Sequence, residues 1–223
     1  VGVYNASTRA PIEEAVLRRM ADAIAHRGPD GEGFHIAPGI GLGHRRLAII
    51  DLAGGSQPMW SQDRRLCIVF NGEIYNYREL AVELERMGFG FQTRSDTEVI
   101  LNAWRAWGTA CLERLSGMFA FALWDASDEV LILARDRIGK KPLYYTTIDG
   151  STLLFASELK SLLTVDRFPR RIAADALEDY LTLGYVPDPK TIYQGTYKLP
   201  PGTFLRWQRG RQPHLESYWD FDL

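Results

Sequence analysis

Two apolar runs in the middle of the chain constrain its fold more than any other stretch. GMFAFALWD (117–125) and EVLILARD (129–136) flank a short turn at 126–128, and within each run both alternating sets of positions are mostly apolar. Side chains of a strand point to opposite faces in turn, so such a run needs apolar cover on both sides. The pair therefore reads as a hairpin buried on both faces.

The rest of the chain supplies candidates for that cover. Residues 11–25 carry Ile12, Val16, Met20 and Ile24 at a spacing of four, with Pro11 suited to the first helical position and Glu13 and Glu14 at the positive end, which predicts an amphipathic helix. Strands are predicted over 33–37, 41–50 and 66–70, the last running into NGEIYN. Asn76 with Glu79, and Ser95 with Glu98, have the spacing of capping boxes that open helices ending at Gly88 and Gly108. A short helix over 111–115 follows. A second hairpin, PLYYTTI and TLLFAS, turns at Asp149-Gly150, helices follow over 158–163 and 175–183, and YKLPPGTFLRW predicts a last strand pair entered through Pro-Pro-Gly. Doubly buried strands among helices suggest two sheets packed together and covered by helices. That is an α+β fold in the form of a four-layer α/β/β/α sandwich; periodicity alone leaves an ordinary two-layer α+β domain open. No repeat or linker divides the 223 residues, so one domain over 1–223 is expected. The opening VGVYNAS reads as the middle of a buried strand whose beginning is missing.

Composition removes several function classes. The formal net charge is -2, with Lys and Arg scattered, so there is no electrostatic footprint for nucleic acid or an anionic membrane surface. No apolar run reaches the roughly 18 residues of a membrane span. Cys67 and Cys111, the two cysteines, sit in apolar contexts that argue for small buried side chains and a reducing, cytoplasmic compartment. There is no G-x-S-x-G elbow, no H-E-x-x-H and no Cys/His metal spacing, so no metal ligands are expected. GEGFHIAPGIGLG lacks the Lys-Ser/Thr ending of a phosphate loop.

The stretch richest in chemistry is VFNGEIYN (69–76), a hydrophobic strand that runs into Asn-Gly-Glu. Asn-Gly there either turns the chain or aims an amide and a backbone N–H at one point, as a tetrahedral oxyanion requires. Arg46 by itself reads as an edge-strand surface charge or a carboxylate-binding fork, and Asp96 as an acid in the first turn of a helix. Read together, HRGPDG (26–31), GHRRLAIID (43–51), VFNGEIYN, SDTE (95–98), GMFAFALWD, RDRIGKKPLYY (135–145), FASELKSLL and KLPPG resemble the glutaminase domain of glutamine-hydrolysing asparagine synthetases. That is the class II glutamine amidotransferase domain, which implies the N-terminal nucleophile hydrolase type of four-layer sandwich.

The resemblance runs from Val1 to about Asp222 and carries specific expectations. In that family the nucleophile is an N-terminal cysteine, whose own α-amine, with an unperturbed pKa of about 7.7–8.0, serves as general base. The resemblance puts this cysteine a few residues ahead of Val1, outside the sequence, so the chain by itself is expected to be inactive. Asn71 and Gly72 resemble the oxyanion hole. Arg46 resembles the residue that holds the glutamine α-carboxylate, and Asp96, assisted by Glu73, the one that pairs with the α-ammonium. The backbone carbonyls of Leu47 and Ile49 are further substrate contacts, and Arg27 and Asp30 shape the pocket wall. The implied reaction is glutamine hydrolysis through a γ-glutamyl thioester. Its ammonia would pass to an ATP-dependent synthetase domain beyond Leu223, most simply to amidate aspartate. ATP and magnesium belong to that absent domain and no cofactor to this one; homo-oligomerisation is left open. The alternative is a non-catalytic module that keeps the fold as a docking surface for a synthetase.

Overall fold

The computed structural model describes residues 1–47 and 55–221. Chain order begins with β1 (Gly2–Asn5), α1 (Glu14–Asp22), β2 (Gly31–Ala37), β3 (Ile40–Arg46), β4 (Met59–Trp60) and β5 (Leu66–Ile74). Then come α2 (Tyr77–Arg86), α3 (Asp96–Trp107), α4 (Cys111–Arg114) and the predicted hairpin, β6 (Gly117–Asp125) with β7 (Val130–Arg135). β8 (Tyr144–Ile148), β9 (Thr152–Ala156), α5 (Leu159–Leu163), α6 (Ala174–Leu183), β10 (Thr196–Lys198), β11 (Thr203–Gln208) and β12 (His214–Ser217) complete the order. Among the described residues the strands form two six-stranded antiparallel sheets, β10-β8-β9-β1-β3-β2 and β12-β11-β7-β6-β5-β4.

The hairpin shows why the sheets stack. Phe119, Phe121 and Leu123 of β6, with Val130 and Ile132 of β7, pack against Leu84, Val99, Ile100, Ala103 and Leu112 of the three helices α2, α3 and α4. The alternate positions, Ala120, Ala122, Trp124, Leu131 and Leu133, pack against Tyr4, Ile40, Leu42 and Phe155 of the other sheet. The outer face of that sheet carries Val3, Ile148 and Leu154 against Leu17, Met20 and Leu162 of α1 and α5. The result is four layers, α/β/β/α, with three apolar interfaces. Each fully buried Leu, Ile or Phe contributes about 1.5–3 kcal/mol, which is why the doubly apolar strands cannot stop at two layers.

Several local expectations are corrected. The first helix begins at Glu14, not Pro11, and a 3-10 turn over Ala25–Arg27 takes its place at the far end. Asn76 precedes α2 without capping it, because its side chain instead donates to the Arg114 carbonyl and accepts from Ser116 N–H. Ser95 does cap α3, accepting from Thr97 N–H at 3.1 Å. Glu98 does not close that box; its carboxylate takes the N–H groups of Gln92 and Thr93. The second hairpin turns where expected, with both Asp149 and Gly150 at positive φ. Pro-Pro-Gly does not join a strand pair. It carries the chain from β10 in one sheet to β11 in the other, and β11 pairs with β7 and β12. Of the predicted strand over 41–50, β3 ends at Arg46, Leu47 lies outside it, and 48–50 fall outside the described residues. Among the described residues no helix is long and apolar enough to cross a membrane.

Candidate active site

A cavity of about 460 Å3 opens between the sheets where β1, β3, β5 and α3 converge. Small side chains make the room: Ala120 and Ala122 face the opposite sheet while the phenylalanines beside them face the helices. Val1, Val69, Leu143 and Phe155 add apolar wall.

One edge of β5 supplies hydrogen-bond donors. β5 pairs with β6 without a bulge from Leu66 opposite Asp125 to Ile74 opposite Gly117. The N–H groups of Leu66, Phe70 and Ile74 nonetheless bond to side chains: Ser61 Oγ at 2.9 Å, Gln57 Oε1 at 2.6 Å and Asp96 Oδ2 at 3.1 Å. These even-numbered residues therefore face away from β6. Gly72 lies between Phe70 and Ile74, so the two-residue period of the strand turns its N–H to the same edge. Asn71 shares the parity of Val69 and looks toward the other sheet, and its Nδ2 is buried with no partner among the described residues. Leaving such a donor unpaired costs about 1–3 kcal/mol, a cost that a hydrogen-bond acceptor placed in the cavity would relieve. Asn-Gly thus lies inside the strand and does not turn the chain.

The acidic side of the cavity comes from the next element. Asp96 opens α3, is only 4% exposed, and accepts from Ile74 N–H, so it ties the helix to the donor strand. Burial holds its carboxyl above the ordinary value of 3.8, and the charge of Glu73 on the same wall adds to this, against hydrogen bonds from Ile74 and Thr97. A carboxylate disfavoured by its surroundings is improved by a cation placed against it. Arg46 ends β3 and lines the same cavity; its carbonyl accepts from Asp30 N–H at 3.0 Å. His44 lines the cavity too, with Nε2 3.1 Å from the Phe70 carbonyl oxygen. Burial above all lowers its pKa from 6.5 to about 4, so it is neutral at pH 7 and donates from Nε2.

Of the residues singled out from sequence, Arg46, Leu47, Asn71, Gly72, Glu73 and Asp96 all line this one cavity. Ile49 lies outside the described residues. Arg27 lines the wall, whereas Asp30 supports the Arg46 backbone. Sequence reasoning missed Gln57, His44 and Lys141. Lys141 reaches the wall because Asp136, fully buried, accepts the N–H groups of Phe119, Lys140 and Lys141, and Arg135 donates to the Lys141, Gly139 and Leu199 carbonyls. RDRIGKKP is thus an internal brace for the loop beside the cavity. Cys67 and Cys111 are both buried, and neither lines the cavity. Among the described residues no cluster of His, Cys, Asp and Glu could hold a metal ion.

The model of the glutamine amidotransferase domain matches residues 1–219. The chain belongs to that family. The domain is 44% identical over 205 residues to asparagine synthetase [glutamine-hydrolyzing] 1 of Bacillus subtilis, covering 91% of this chain and 32% of that protein. It is 36% identical over 219 residues to the amidase chyE of Penicillium rubens, covering 98% of this chain and 31% of that one. The amidotransferase domain therefore spans about a third of the length of these relatives. In fold it is similar to glutamine phosphoribosylpyrophosphate amidotransferase from B. subtilis, with a TM-score of 0.68 at 20% identity over 98% of this chain and 48% of that one. The four-layer α/β/β/α sandwich expected from the sequence is thus the fold observed, and it is shared with that structure.

Proposed function

We propose that this chain is the glutamine-hydrolysing part of a longer amide-forming synthetase, most simply one that makes asparagine from aspartate. The single observation that carries the reading is the unpartnered, buried Nδ2 of Asn71 beside the edge-facing N–H of Gly72, on one cavity wall with Asp96. Arg46 takes the α-carboxylate of glutamine, and Asp96, with Glu73, takes its α-ammonium. The opposed charges fix which way the amino acid lies and deliver its γ-amide to the two donors. The nucleophile is a cysteine ahead of Val1 in the parent protein, and Val1 itself lines the cavity. Its thiolate attacks the γ-carbonyl, and the oxygen that becomes negative is held by Asn71 Nδ2 and Gly72 N–H. The proton that the cysteine's own α-amine takes from the thiol passes to the departing nitrogen, so ammonia leaves as the tetrahedral centre collapses to a thioester, which water then cleaves to glutamate and the free thiol. In this reading ATP and magnesium serve a further part of the parent protein, where the ammonia is consumed.

The test is glutamate release from glutamine by the parent protein, with the cysteine ahead of Val1 intact and then replaced by Ala. Release that stops on replacement is expected. A parent protein with no cysteine there, or with glutamate release unchanged by its loss, overturns the assignment.

A further inference from the structure

Phe70 stands immediately before the two proposed oxyanion donors, and both of its main-chain polar groups face the open edge of β5, where no strand of the sheet takes them. Two side chains do. Gln57 Oε1 accepts from Phe70 N–H at 2.6 Å, and His44 Nε2 donates to the Phe70 carbonyl at 3.1 Å. Gln57 then reaches further: its Nε2 donates to Thr97 Oγ1 at 3.4 Å, and Thr97 follows Asp96 at the start of α3. One amide thus spans the strand that presents Asn71 and Gly72 and the helix that presents Asp96. Apolar packing of Phe70 and Ile74 against Val99 and Ile100 also joins strand and helix, and a second directional tie, Ile74 N–H to Asp96, lies beyond the donors on the far side.

We infer that Gln57 is a positioning residue that sets the distance between the oxyanion donors and the ammonium-binding carboxylate, and so the match of the cavity to the length of glutamine. The inference rests on the proposed glutaminase reading. The distance matters because both ends of one substrate must be held at once. A donor that drifts by about 1 Å forfeits on the order of 10²-fold in rate while the substrate still binds. Fixing Phe70 N–H fixes the peptide groups on either side of it, and Asn71 and Gly72 follow within two residues. Fixing Thr97 fixes the first turn of α3, where a displacement is felt as weaker binding. Gln57 therefore acts on both kcat and KM, and its two bonds act on them separately.

The test uses the full parent protein and steady-state glutamate release. Gln57→Met keeps the volume and removes both bonds; kcat is expected to fall about 10- to 100-fold and KM to rise. Thr97→Val removes one bond and is expected to raise KM with kcat within about threefold. In the double variant the KM effects combine to less than their product, because the Gln57–Thr97 bond is lost only once. Gln57→Glu keeps the acceptor for Phe70 N–H and is expected to recover most of the kcat. Synthesis with free ammonia in place of glutamine bypasses this site and stays at the wild-type rate, and an unchanged thermal transition of the amidotransferase domain by calorimetry shows that every variant is folded. A wild-type protein without glutaminase activity defeats the functional proposal. An active wild type with Gln57→Met unchanged in kcat and KM, or with Gln57→Glu no better than Gln57→Met in kcat, defeats the positioning role.

Discussion

Gly72→Ala is the substitution whose consequence the structure fixes most closely. A Cβ on residue 72 would stand 2.8 Å from Phe119 Cα and 2.9 Å from the Phe70 ring, and nearer still to the Met118 carbonyl oxygen. Ordinary contact begins at 3.4 Å, so the shortfall against Phe119 Cα is 0.6 Å, and two of the three obstacles are backbone of the neighbouring strand. β6 cannot yield, since it is paired on both sides and Phe119 N–H is held by the buried Asp136. The end of β5 must move instead, and it carries both donors. Overpacking of this kind costs about 1–3 kcal/mol of stability. For a chain of this size that is a fall in Tm of roughly 2–12 °C.

The catalytic effect is larger. A displacement of more than half an ångström at the donors predicts a kcat for glutamine hydrolysis about 10- to 100-fold lower, with KM changed much less, because Arg46 and Asp96 sit on other elements. Asn71→Ala, which truncates a donor without a clash, is expected to cost about 10²- to 10³-fold in kcat. If Gly72→Ala acts by moving the same donors, adding Asn71→Ala to it costs less than Asn71→Ala alone. The assay is glutamate release by the parent protein with calorimetry on the same samples. Gly72→Ala with kcat within threefold of wild type, whatever its Tm, refutes the claim that this edge holds the oxyanion.

Asp96→Asn keeps an oxygen for Ile74 N–H and removes the charge, so KM for glutamine is expected to rise about 10- to 100-fold, the worth of one charge-assisted hydrogen bond of about 1.5–3 kcal/mol. Because the folded carboxyl binds its proton more tightly than the unfolded one, stability falls as pH rises from 3.8 through the raised folded value. Thermal scans from pH 3.5 to 7 should show Asp96→Asn gaining on the wild type across that window and keeping that relative gain at pH 7; a variant that loses ground with rising pH contradicts the burial cost. Burial pushes the thiols of both Cys67 and Cys111 up to about 12. Neither is expected to react with iodoacetamide at pH 7.5 in the native chain, and both should be labelled in denaturant, as peptide mass mapping will show.

The apolar hairpin gave the layers of the fold because doubly buried strands admit few arrangements. Capping and connection were harder to read, since they depend on what stands nearby in space. Asn76 has the right neighbour at Glu79 for a capping box, yet Ser116 N–H and the Arg114 carbonyl, forty and thirty-eight residues away, compete for its side chain. The Pro-Pro-Gly turn has the residues of a hairpin, and nothing local says that the strands on either side belong to different sheets.

The site was legible only as a set. Arg46, Asn71, Gly72, Glu73 and Asp96 come from β3, β5 and α3, and each read singly has a plain structural explanation. A resemblance joined them, and one cavity now holds them together. Two physical signals were nevertheless present in the sequence. Phe-Ala-Phe-Ala in β6 is apolar at both parities but not equal in size: the large residues fill the helix layer, and the small ones leave the space between the sheets. An Asn-Gly pair inside a strand that otherwise carries apolar residues also has a cost that turn chemistry would have avoided, because it places an amide where none of the described residues partners its nitrogen. Sequence alone could not show Gln57, whose importance lies in the two groups it joins, thirteen and forty residues away. A residue that acts by holding two elements in register has no signature until both elements are placed, and for that reason such residues are the ones a motif reading omits.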